Sequence, residues 1–82
     1  MPNPSKVDCI TILSAASALG DDALLPLEPQ RLGLTRNGMD AAAVFLIERA
    51  CFTRHRREDD GHYEVGGLSL QGRLRLAQLT SD

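Results

Sequence analysis

The order of local signals between Leu32 and Leu79 constrains this chain more than any single residue does. A Gly-marked turn, Leu32-Gly33-Leu34-Thr35-Arg36, leads into an apolar helical run ending near Cys51. A stretch from Phe52 to Val65, broken by Asp60-Gly61, follows directly, and a last helix starts behind Leu68-Ser69-Leu70. A helix that feeds straight into a tight hairpin and then into another helix must bury all its apolar faces in one shared core. With 82 residues, that core is small, and the chain reads as one domain over residues 1–82. The predicted class is α+β: three to four helices with a two-stranded β-hairpin in the C-terminal half.

Each predicted element carries its own start and stop chemistry. Ser5 is placed to cap a helix opening at Lys6, with Asp8 in its first turn, Cys9, Ile12, Leu13, Ala16 and Leu19 on one face, and Gly20 as the stop. From Asp21 to Pro29 the pattern breaks, and Ala23-Leu24-Leu25-Pro26-Leu27 reads as a short edge strand or an extended linker. Pro29 suits a first helical turn that Gly33 ends. Thr35 or Asn37 caps the next helix, where Asp40 sits early and Ala41-Ala42-Ala43 are strong helix formers. Asp60-Gly61 favours a two-residue hairpin turn, a register that sets Arg57 opposite Glu64 for a pair worth ~0.5 kcal/mol. Ser69 caps the closing helix, whose inward side is read as Leu70, Leu74, Leu76, Ala77 and Leu79.

Composition excludes more than it identifies. Nine Lys plus Arg against eleven Asp plus Glu give a net charge of -2, so a nucleic-acid site requires a local basic patch. Arg54-His55-Arg56-Arg57 is that candidate patch, and the adjacent Glu58-Asp59-Asp60 is its internal counterweight. Cys9 and Cys51 fall in predicted amphipathic helices, where a free thiol acts as a small buried hydrophobe. A disulfide between them would need a geometry that the sequence does not show. Met1-Pro2-Asn3-Pro4-Ser5-Lys6 has no apolar signal core, and no run approaches the ~20 apolar residues of a membrane span, so no membrane partner and a cytoplasmic location are expected.

The turn at Leu32-Gly33-Leu34-Thr35-Arg36, the Glu48-Arg49-Ala50-Cys51-Phe52 segment before the ribbon and Leu68-Ser69-Leu70-Gln71-Gly72-Arg73 after it together resemble the winged-helix superfamily. The likeness is to small bacterial and phage regulators of the MarR-like kind and covers roughly residues 30 to 80. The resemblance implies a helix-turn-helix with a hairpin wing that binds double-stranded DNA as a transcriptional regulator. Carried over by position, Thr35, Arg36, Asn37 and Asp40 would face the major groove, and Arg54, Arg56 and Arg57 would meet phosphates. It also implies pairing into a homodimer, as such domains often read two half-sites.

Two features depart from that pattern. If Met39, Ala43 and Leu46 face the core, then Ala41, Val44, Phe45 and Glu48 lie on the outer flank, where exposed Val44 and Phe45 suit a protein contact better than a base edge. The ribbon tip, Glu58-Asp59-Asp60, would repel phosphates. The alternative is therefore a winged helix that binds a protein, such as a host factor engaged by a phage or mobile-element protein. Val7 and Ile10 extend the first helix's apolar stripe, which suits either self-association or packing under the last helix. His55, His62 and Cys51 lack paired metal-ligand spacing, so no metal or other cofactor is expected. Ser5 and Ser69 are explained as caps, Gly66-Gly67 lacks the Gly-Lys-Ser of a phosphate loop, and no enzymatic activity is expected.

Overall fold

The computed structural model describes residues 4–20 and 22–81. Its elements run α1 (Lys6–Ser17), β1 (Leu25–Pro26), α2 (Pro29–Leu32), α3 (Arg36–Glu48), β2 (His55–Arg57), β3 (Tyr63–Val65) and α4 (Leu70–Thr80). The reading of Met1-Pro2-Asn3 and the break at Asp21 lie outside the described residues. Among the described residues the architecture is α+β, with four helices and a three-stranded antiparallel sheet.

Side-chain caps start three of the helices. Ser5 Oγ accepts from Asp8 N, Thr35 Oγ1 from Gly38 N at 3.1 Å and Ser69 Oγ from Gly72 N at 3.1 Å, each satisfying an amide that the helix leaves without a carbonyl. α1 ends at Ser17 with Ala18 as its cap, two residues before Gly20. Pro29 opens α2, and Gly33, at φ 70°, closes it in the left-handed conformation. α3 ends by doubling back: Ala50 N donates to Ile47 O at 3.0 Å and Cys51 N to Leu46 O at 3.1 Å. That Schellman pattern requires a left-handed residue, here Ala50 at φ 56°, where glycine is the usual occupant.

The strand order is β1-β3-β2, so the predicted two-stranded wing is a three-stranded sheet and Leu25-Pro26 is its short edge strand. Pairing between the two hairpin arms continues beyond β2 and β3, through Gly66 N to Arg54 O and Thr53 N to Gly67 O, to a bridge between Phe52 and Leu68. The register differs from the predicted one by a residue: Arg56 faces Glu64 and Arg57 faces Tyr63. The cause is the turn. Gly61 N donates to Glu58 O and Glu58 N to His62 O, with Gly61 at φ 94°, which makes a three-residue loop closed by a left-handed glycine. The two-residue turn would need positive φ at both Asp60 and Gly61; this loop asks it of the glycine alone.

Cys9, Ile12, Leu13 and Ala16 of α1 meet Met39, Ala42, Ala43 and Leu46 of α3, and Leu27, Cys51, Phe52 and Val65 complete the buried core. α1 also packs against α4. α4 sits rotated from the expected orientation, because Gly72 is its contact point: a Cβ there would stand 2.0 Å from the Cys51 carbonyl oxygen. That rotation turns Leu76 and Leu79 toward the core and leaves Leu70 at 71% and Leu74 at 51% exposure, with Ala77 also outside. On α1, Val7 stands 66% exposed while Ile10 is half-buried, so only Val7 extends the apolar stripe into solvent. Among the described residues no helix is long and apolar enough to cross a membrane.

Candidate functional site

The candidate surface is the outward side of α3 together with the ribbon that follows it. Of the residues expected to read DNA, Thr35 has its hydroxyl engaged in the helix cap, while Asn37 is exposed. Arg36 lies 3.5 Å from an oxygen of Asp40 one turn along, so these two predicted reader residues are directed at each other. The other Asp40 oxygen is buried and accepts no hydrogen bond among the described residues. From α1, the Asp8 carboxylate occupies the space next to Gly38, 2.6 Å from where a Cβ would stand. A carboxylate is thus already placed at the positive end of the α3 dipole, the end that would otherwise attract a phosphate. Sequence reasoning did not find that contact. Its signal is Gly38 itself, a costly residue early in a helix unless something needs the room.

Asn37, Ala41, Val44 and Glu48 recur every three or four residues and form the outward stripe of α3, with no cation in it. Ala41 and Glu48 are exposed as expected, but Val44 and Phe45 are not a bare pair: both are half-buried. Phe45 packs against the core and lies under two guanidinium groups, Arg49 at 3.8 Å and Arg75 at 5.7 Å from its ring centre. At Phe45 the difference comes from long-range cover by α4, since Arg75 is thirty positions away in sequence.

All three residues of β2 are exposed, but their charges are not equally free. Arg56 donates from Nε at 3.0 Å and Nη2 at 2.5 Å to Glu64 Oε1, and its Nη2 lies 2.8 Å from Glu58 Oε1. The Glu64 hydrogen bond holds the Arg56 guanidinium even more firmly protonated, and the same contact pulls the Glu64 carboxyl below the usual range. Arg57 lies over Tyr63 at 5.5 Å, and Arg54, opposite the side-chain-free Gly66, reaches Ala23 O at 3.4 Å. At the tip, the His62 backbone amide and its ring nitrogen both contact Asp60 Oδ1, and the amide is the main reason that this carboxyl is more acidic than usual. The register sets His55 opposite Val65 and His62 beyond the ladder, so the two imidazoles are not brought together. Among the described residues no cluster of three or more His, Cys, Asp or Glu is arranged to hold a metal ion.

Cys9 and Cys51 are buried free thiols, Cys51 just past the end of α3 rather than inside it. Burial raises both thiol pKa values, against an opposing pull from Arg75. Taken together, the α3 and ribbon surface sets five arginines, Arg36, Arg49, Arg54, Arg56 and Arg57, against six carboxylates: Asp40, Glu48, Glu58, Asp59, Asp60 and Glu64. Neither a family model, nor a curated protein, nor a solved structure gives a significant match to this chain.

Proposed function

We propose that this chain is a winged-helix-type module that works by protein contact rather than by reading DNA. The winged-helix part of the reading is supported by the element order, with a hairpin directly after α3, and by β1 pairing with β3 so that the hairpin is fixed to the helical body. The single observation that carries the protein-contact part is the α3 stripe, Asn37-Ala41-Val44-Glu48, which is small and apolar in the middle, acidic at one end and without a cation. Binding to duplex DNA draws its affinity from cations that displace counterions, and a surface with more carboxylates than arginines offers no such gain. A partner helix with small apolar residues and a basic end fits that stripe.

A DNA-binding reading keeps one specific observation in its favour: Arg54 and Arg57 have no carboxylate within 4.0 Å among the described residues and lie on an exposed ribbon. Fluorescence anisotropy with random duplex DNA at low salt separates the two. The protein-contact reading expects no binding there, and expects a photo-crosslinker at position 41 to capture a second copy or another protein, with capture lost in Glu48→Arg. Saturable DNA binding that weakens with salt and disappears in the Arg54→Ala, Arg57→Ala double variant would refute it.

A further inference from the structure

A groove of about 900 Å³ lies away from the α3 stripe, between the C-terminal end of α1, the root of the ribbon and α4. From α4, Arg73, Leu76, Ala77 and Thr80 face it at the i, i+3, i+4 and i+7 positions of one helix side. Leu19 and Leu68 add apolar floor, and Arg54 stands at the ribbon side. Two glycines leave the walls bare: a Cβ at Gly20 or at Gly67 would meet nothing within 4 Å. Neither Arg54 nor Arg73 has a carboxylate within 4.0 Å among the described residues, although Asp22 also lines the groove.

We propose that this groove binds an organic carboxylate with an extended apolar body. The volume falls inside the ~300–1,000 Å³ typical of small-molecule sites, and the lining is divided about evenly between an apolar floor and polar groups, which suits an amphipathic ligand. Guanidinium groups take carboxylates in forked, charge-assisted hydrogen bonds, and two that have no carboxylate partner among the described residues, beside an apolar floor, select an anion over a neutral or cationic molecule of the same shape. Leu19, Leu68 and Leu76 would cover the hydrocarbon body while Arg54 and Arg73 hold its charged end. Asp22, the one acidic residue facing the groove among the described residues, opposes that binding and so provides an internal control. The groove shares no lining residue with α3 or its outward stripe.

Methyl and arginine Nε–H NMR signals recorded during titration with octanoate test it, with octanol and octylammonium as the matched neutral and cationic probes. The expected result is saturable shifts at Leu19, Leu68, Leu76, Arg54 and Arg73, with octanoate binding at least tenfold more tightly than octanol and octylammonium not binding. Arg54→Gln with Arg73→Gln should remove that tenfold preference, and Asp22→Asn should strengthen octanoate binding. Gly67→Leu should abolish it by filling the groove, and Gly20→Leu gives a second block from the opposite wall; both glycines have φ outside the left-handed region, and an amide spectrum checks that each variant is folded. Equal affinity for octanoate and octanol, shifts centred on the exposed Leu70 and Leu74, or binding that persists in both folded blocking variants would overturn the proposal.

Discussion

Gly72→Ala tests the packing of α4 with a sign that helix propensity alone gets wrong. In a free helix, alanine in place of glycine stabilises by ~1 kcal/mol. Here the added carbon would stand 2.0 Å from Cys51 O, 3.0 Å from Cys51 C and 3.2 Å from Leu68 Cδ2. Carbon and oxygen in contact need more than 3 Å, so α4 has to withdraw by over 1 Å from a backbone that cannot yield by changing a rotamer. Withdrawal strains two hydrogen bonds that fix the same junction, Ser69 Oγ to Ala50 O at 2.5 Å and Ser69 N to Cys51 O at 3.0 Å. Overpacking of this kind costs ~1–3 kcal/mol and each weakened bond ~1 kcal/mol, so the net loss after the propensity gain is about 2–4 kcal/mol. At roughly 4–8 °C per kcal/mol for a domain of this size, the melting temperature should fall by at least ~8 °C. Thermal and urea unfolding followed by circular dichroism measure it, with Gln71→Ala at the exposed neighbouring position as the control. A Gly72→Ala protein as stable as the parent would mean that α4 does not rest on the Cys51 carbonyl.

Ala50→Gly should raise stability by ~0.5–1 kcal/mol in the same unfolding assay, because glycine adopts the left-handed conformation that alanine holds under strain. Ser69→Ala should lower it by ~1–2 kcal/mol, through loss of the α4 cap and of the bond to Ala50 O. In an NMR pH titration, Glu64 should protonate below the ordinary glutamate range and return toward it in Arg56→Gln. The sign follows from the depressed folded value: whatever stability the pair contributes is present above the unfolded glutamate pKa and is lost as pH falls through the folded one. Cys9 and Cys51 should resist a thiol reagent in the native protein and react on unfolding, since burial keeps both protonated; rapid native labelling of either would contradict their placement.

The elements that were readable from sequence are those whose determinants are local. Ser5, Thr35 and Ser69 cap because a hydroxyl three residues ahead of a free amide is enough, and Pro29 and Gly33 bound α2 through their own φ angles. Helix rotation and strand register have no such local author. α4 has leucine on every side, so periodicity cannot choose its buried face; contact at Gly72 chooses it, and Leu70 and Leu74 end outside. Asp60-Gly61 is compatible with either turn length, and a one-residue slip transfers the glutamate pairing from Arg57 to Arg56. The candidate surface was legible as a list of exposed residues: Arg36, Asn37, Ala41, Glu48 and the ribbon arginines are all accessible. What was not legible is which charges cancel, because Asp8 at Gly38 and Arg75 over Phe45 are contacts between distant segments.

The sheet has two open borders, and each bears a different guard. On one, Pro26 has no amide hydrogen to offer a neighbouring strand. On the other, His55, Arg56 and Arg57 are all solvated, so a second chain that docked there would bring like charges alongside one another and desolvate them. The basic run therefore has a physical consequence that involves no nucleic acid: solvated charge along an edge strand disfavours the addition of another strand at that border.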